Sequence, residues 1–100
     1  MKGTMKALRM YAPYDFRIDE VAIPEIGDDD ILIRVKGCGV CSGDVKTYHG
    51  GQRVWGTSPE TAYIEAPCIG GHEFHGVVAE KGKNVTKVES GDRILAEQIL

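Results

Sequence analysis

Gly70-Gly71-His72-Glu73-Phe74-His75-Gly76-Val77-Val78 sets a histidine and a carboxylate between a tight glycine turn and the start of an apolar strand. Upstream, Gly37-Cys38-Gly39-Val40-Cys41-Ser42-Gly43-Asp44 reads as a strand that stops abruptly at a cysteine beside an acid. A thiol, an imidazole and carboxylates at strand edges are the ingredients of a metal site. Zinc accepts all three donor types, and a catalytic zinc keeps one position open. Cys41 and His72 each offer one ligand. Asp44 and Glu73 matter because a metal-bound histidine usually donates its second N–H to a carboxylate, which sets its tautomer. Taken one at a time these residues have plainer readings: a small buried hydrophobe for Cys41, a core or surface histidine for His72, a helix cap for Asp44 and a solvated acid for Glu73. Their joint occurrence behind glycine-rich turns favours the metal. Cys38 and Cys68 read as structural, and His49 and His75 as non-ligands, although His49 could face the site from a short helix.

Outward from these two stretches, the pattern is one of short strands. Residues 5–10 alternate loosely and predict an edge strand. Phe16 to Ile23 alternates again and ends at Pro24, which lacks a ladder donor. Gly27 to Asp30 is a polar turn. Ile31 to Val40 is the clearest strand, with Ile31, Ile33 and Val35 on one face, and Gly37 and Gly39 mark a bend or a close approach. Gly43 to His49 changes period and predicts a short helix capped by Ser42 or Asp44. Gly50 to Pro67 is long, polar and aperiodic, the kind of loop that is usually functional or disordered. Phe74 to Lys81 predicts a strand, residues 82–85 a turn, and Arg93 to Leu100 a last strand. Many short strands with one short helix imply a mainly β barrel or sandwich-like domain.

Composition narrows the function classes. One hundred residues, 42% hydrophobic and 27% charged, suit a single globular domain. The net charge of −3 with scattered basic residues leaves no stripe for a phosphate backbone, so no nucleic-acid partner is expected. No apolar run approaches the roughly 18 residues of a membrane span, and no secretory signal follows Met1. Three cysteines at uneven spacing argue against a disulfide framework and for a reducing, cytoplasmic setting.

The motifs Gly37-Cys38-Gly39-Val40-Cys41-x-x-Asp44, Gly71-His72-Glu73-Phe74-x-Gly76 and Gly91-Asp92-Arg93, with Val85 and Val88, resemble the zinc-containing medium-chain alcohol and polyol dehydrogenases. The resemblance spans essentially the whole chain. Tyr48-His49-Gly50 to Trp55-Gly56 is similar to the sugar-alcohol branch that includes erythritol and threitol dehydrogenases. The resemblance implies a GroES-like β-barrel catalytic domain with one short helix, of which residues 1–100 are the N-terminal part. It implies a catalytic zinc on Cys41 and His72, Glu73 beside or on the metal, and Asp44 holding the zinc histidine. The third ligand, a lobe that often holds a structural zinc, and the Rossmann domain that binds NAD or NADP are expected beyond residue 100. The implied reaction is hydride transfer from a sugar alcohol or other secondary alcohol to NAD(P), with zinc lowering the hydroxyl pKa. The fragment alone is expected to be inactive, and the full protein to be a homodimer or homotetramer.

In one respect the chain departs from the family. Many members carry Ser or Thr two positions after the zinc cysteine to start a proton relay. Gly43 stands there, with Ser42 one position early, so the relay falls to a re-aimed Ser42, to water or to Glu73. Arg53, Trp55 and Tyr63 in the long loop are the candidates for substrate contact, although Trp55 could equally anchor the loop on the barrel. Two other classes compete. A free-standing GroES-like module of co-chaperonin type suits the length but has no use for Cys41, His72 and Asp44 together. A zinc-free quinone reductase relative would lack the Cys41 and His72 pair.

Overall fold

The computed structural model describes residues 1–96. In chain order they form β1 (Thr4–Ala12), β2 (Asp15–Ala22), β3 (Ile31–Gly39), α1 (Ser42–Tyr48), α2 (Gln52–Trp55), a 3₁₀ turn (Pro59–Thr61), β4 (Cys68–Ile69), β5 (Glu73–Lys81) and β6 (Arg93–Leu95). The mainly β expectation holds: the strands make two three-stranded sheets, ordered β2-β1-β4 and β3-β5-β6. Two compact units contain them, one of residues 1–4, 22–39 and 72–100, the other of residues 5–21 and 40–71. No helix among the described residues is long and apolar enough to cross a membrane.

In the first unit β5 is central. Its antiparallel ladder with β3 runs from Ile31 opposite Lys81 to Gly39 opposite Glu73, and β6 pairs on its other side, His75 opposite Leu95. The hydrophobic anchor is Val78, 1% exposed, and its backbone is held from both directions by the turn before β6. Its N–H donates to Asp92 O at 2.9 Å and its carbonyl accepts from Gly91 N–H at 2.8 Å. Two register shifts, at Leu32/Ile33 and Val35/Gly37, interrupt the ladder. A bulge re-phases every side chain after it, because strand faces alternate with period two. The first shift places the extra residue on β5 and the second places Lys36 after Val35, so Ile31, Ile33 and Val35 keep one phase. Val35 is nevertheless 54% exposed, because that face is not covered along its whole length. The turn at residues 82–85 forms as expected, with Gly82 N–H donating to Asp30 O at 2.8 Å and Asn84 N–H to Asp28 O at 2.9 Å.

In the second unit β1 lies between β2 and β4, so it is a central strand and not the expected edge. Its second partner is only two residues long, Arg9 opposite Ile69 and Met10 opposite Cys68, too short to leave a periodic trace in sequence. Ala7 and Met10 are its buried side chains. The β1–β2 turn puts Tyr14 at φ 63°, and the Tyr14 N–H donates to Tyr48 O at 2.9 Å, tying the turn to the end of α1. The Tyr48 ring is clasped edge-on by Tyr14 and Phe16, with centroids 5.2 and 5.0 Å away.

Residues 50–67 are more ordered than their composition suggested. They hold α2 and the 3₁₀ turn, so the described residues include two short α-helices where one was expected. The Thr61 hydroxyl closes the segment, accepting the N–H groups of Thr57 and Ser58 at 3.0 and 3.1 Å. The last strand is seen over Arg93–Leu95, and its expected continuation to Leu100 falls largely outside the described residues.

Candidate functional site

Cys41 ends the extended backbone after β3 and caps α1, with φ −104° and ψ 173°. The expected cap, Ser42 or Asp44, is thus corrected: Cys41 occupies the cap position and Asp44 serves it from the third helical position. The pair forms a reciprocal capping box. The Asp44 carboxylate accepts the Cys41 N–H at 3.1 Å, and the Asp44 N–H donates to the Cys41 carbonyl at 3.1 Å. Such a box satisfies donors that a helix start otherwise leaves open. It also locks the backbone from which the sulfur projects. A β-carbon at Gly43 would stand 3.3 Å from that sulfur, so glycine keeps the space beside the thiol open. Ser42, the relay candidate, is exposed on the first turn of α1.

His72 and Glu73 lie where the chain enters β5, directly after Gly71 at φ 102°. A positive φ of that size is easy only for glycine and turns the chain sharply into the strand. The Nε2 atom of His72 is 3.6 Å from Glu73 Oε2, and both side chains are partly open to solvent. The Glu73 carboxylate rests against Gly39, where a β-carbon would meet Oε1 at 3.2 Å. His75 stands over Gly37, whose hypothetical β-carbon would be 2.6 Å from Nε2. Both glycines therefore serve the close approach expected of them.

The remaining candidates separate. His49, at the end of α1, packs at a tilt on Tyr14 and edge-on to Tyr48, with centroids 5.4 and 5.7 Å away. Trp55 is half-buried and donates Nε1–H to Thr47 O at 2.7 Å, which pins α2 to α1. It also lines an open cleft of about 760 Å³ together with Tyr11, Pro13, Pro59, Tyr63 and Glu65. Anchor and wall are one residue. Tyr63 is 85% exposed at the cleft while its N–H is held by Val54 O at 2.8 Å. Arg53 is exposed on α2 and is not among the residues that line the cleft. Tyr11, Pro13, Pro59 and Glu65 were not singled out by the sequence. Nothing in a strand end or a turn signals a cleft wall, and Tyr11 and Pro13 reach it only through folding.

Tyr11 is held in a polar cluster on the β1–β2 pair. Its hydroxyl donates to the Asp19 carboxylate in a short contact, and Arg9 lies 3.4 Å from the same group. The Arg17 guanidinium covers the Tyr11 ring at 4.2 Å and donates to both Asp15 oxygens, at 2.9 and 3.0 Å. The hydrogen bond to Asp19, and then burial, raise the Tyr11 pKa above 10.0.

The model of the alcohol dehydrogenase GroES-like domain matches residues 27–99, from the turn before β3 through both Cys41 and His72. The chain belongs to that family. The chain is similar to an erythritol/L-threitol dehydrogenase of Mycolicibacterium smegmatis, 38% identical over 99 residues, a match covering 96% of this chain and 27% of that protein. A D-arabitol-phosphate dehydrogenase of Enterococcus avium is 39% identical over 99 residues, covering 97% and 26%. Among solved structures, the cobalt- and zinc-bound thermostable alcohol dehydrogenase of Pyrobaculum aerophilum superposes with a TM-score of 0.74 at 30% identity, over 93% of this chain and 26% of that one. The GroES-like chain thus spans about a quarter of the length of these relatives.

Proposed function

We propose that this chain is the zinc-ligand-bearing part of a nicotinamide-dependent dehydrogenase that oxidises a polyol or another secondary alcohol. The observation that carries the proposal is the end of the β3–β5 ladder, where Gly39 is paired with Glu73. Cys41 follows Gly39 by two residues and His72 precedes Glu73 by one. Two residues of chain span at most about 7 Å. The covalent backbone therefore keeps the thiol and the imidazole within reach of the same pair of strand ends. A thiol, an imidazole and a carboxylate are a donor set that zinc accepts, so the residues fit the metal.

In this reading Cys41 and His72 hold the zinc and Glu73 stands beside or on it. When bound, the metal supplies Lewis acidity toward the substrate hydroxyl. Asp44 keeps Cys41 in place through its N–H and also orients the histidine. Glu73, Ser42 and His49 are the groups through which the hydroxyl proton passes outward. Trp55 and Tyr63 offer an amphipathic wall to a hydroxylated carbon chain, whereas Arg53 is outside the residues that line the cleft. NAD or NADP is held by a Rossmann domain elsewhere in the whole protein, which works in the cytoplasm as a homodimer or homotetramer. The erythritol/L-threitol relative supports a polyol as the substrate class, and the D-arabitol-phosphate relative a polyol skeleton that carries a phosphate.

Zinc analysis of the whole protein, wild type against Cys41→Ser and His72→Ala, tests the assignment. The wild type is expected to carry at least one zinc per subunit, and each variant to lose the catalytic equivalent together with alcohol oxidation. Full zinc occupancy and full activity in both variants would remove Cys41 and His72 from the metal.

A further inference from the structure

We infer that the cleft walled by Tyr11, Trp55 and Tyr63 admits an uncharged polyol and turns away its phosphate ester, with Glu65 as the discriminating side chain. The inference rests on the dehydrogenase reading above and names the charge class of its substrate.

Three observations carry it. First, none of the described residues lining the cleft is Lys, Arg or His, and the carboxylate among them is Glu65. Phosphate recognition depends on charge-assisted donors, above all arginine forks and lysines. Second, the cations next to Tyr11 are already engaged. Arg17 is bidentate to Asp15 and Arg9 is paired with Asp19, so neither guanidinium is turned to the cleft as a phosphate fork. Third, a second acid adjoins the lining residue Pro59. Glu60 is held below the usual carboxylate range by its own backbone N–H and by the Ser58 hydroxyl, so it stays ionised across the neutral range. What the cleft does offer is neutral: the Trp55 and Tyr63 rings and the hydroxyl-bearing Thr57 and Ser58. Aromatic faces take the C–H side of a polyol while hydroxyls meet its oxygens.

The test uses the whole protein with D-arabitol and D-arabitol phosphate as probes, in the wild type, in Glu65→Lys and in Trp55→Phe. Because like charges brought together at a binding site repel, kcat/KM for arabitol is expected to exceed that for its phosphate by at least about tenfold. Glu65→Lys, a change at an exposed side chain, is expected to shift that ratio toward the phosphate by about tenfold or more on the same ground. Trp55 emission, taken as wild type minus Trp55→Phe, is expected to respond to arabitol and not to inorganic phosphate. A preference for the phosphate, or a ratio unmoved by Glu65→Lys, overturns the inference and leaves the dehydrogenase reading intact. Oxidation of arabitol with no change in Trp55 emission does the same, since the substrate then lies elsewhere. Absence of zinc and of any alcohol oxidation overturns both.

Discussion

Cys41 and Asp44 are each required by the other's geometry. The carboxylate that accepts the Cys41 N–H sits three residues along α1, and removing it reopens a donor at the start of a seven-residue helix. Asp44→Ala is expected to cost about 1 kcal/mol, the usual loss for a capping residue. In the zinc-loaded whole protein it should also weaken metal retention roughly 10–100-fold, as loss of a group that orients a ligand does. Denaturant titration reads the first effect and competition with a chelator the second. A stability loss without any change in zinc retention would reduce Asp44 to a helix cap. Gly76 gives a different residue-scale expectation. A β-carbon there would lie 2.2 Å from the Arg34 carbonyl and 2.8 Å from the Ile33 side chain, and a paired backbone cannot move aside as a side-chain tip can. Gly76→Ala is expected to destabilise by about 1–3 kcal/mol, the range for overpacked sites. Equal denaturation midpoints for wild type and Gly76→Ala would show that the β3–β5 ladder yields at that point.

At the scale of elements, the β1–β2 pair carries two titrations of opposite sign. Asp15 is held below the usual carboxylate range, chiefly by hydrogen bonds from Arg17. A depressed folded pKa contributes stability that is present above the ordinary carboxylate range and is lost as pH falls through the folded value. Tyr11 is the reverse. Its raised pKa contributes below pH about 10 and the contribution is lost as pH rises through the folded value. The phenolate absorbance assigned by Tyr11→Phe is therefore expected to develop at higher pH than that of an unperturbed tyrosine. Asp19→Ala should bring it back toward 10, and a Tyr11 titration indifferent to Asp19→Ala would refute the pairing. The Asp15 carboxyl should likewise titrate at higher pH in Arg17→Ala, as followed by NMR. Alternation made β2, β3 and β5 legible in the sequence, because a strand with one drier face leaves a period of two. It did not foresee that Val35 stays exposed, because alternation says which face a residue shares and not how far that face is covered, and it missed β4, which is shorter than any period. α2 was missed because Gln52–Trp55 is a single turn, held by Trp55 Nε1–H on Thr47 O rather than by an apolar stripe.

For the whole molecule, apolar surface is the governing quantity. Ala7, Met10 and Val78 are the hydrophobic residues buried among those described, whereas Val40 and Leu95 are each 77% exposed and Ile18 66%. Apolar side chains left in water add nothing to the hydrophobic stabilisation of the fold. Residues 1–100 in isolation are therefore expected to bind a hydrophobic dye and to unfold with low cooperativity, observable by fluorescence and calorimetry. The isolated chain is also expected to bind zinc weakly and to oxidise no alcohol. A submicromolar zinc affinity for residues 1–100 would contradict that. The sequence by itself determined the family and the strand-rich architecture, and it supplied the thiol, imidazole and carboxylate of the proposed site, because glycine turns and short motifs are local and survive in the order of residues. Only the tertiary structure decided that Cys41 rather than Ser42 caps α1, that β1 is central, and that Tyr11 and Glu65 share a cleft with Trp55. Those outcomes depend on which distant backbones meet, and the order of residues along a chain leaves no periodic or compositional trace of that.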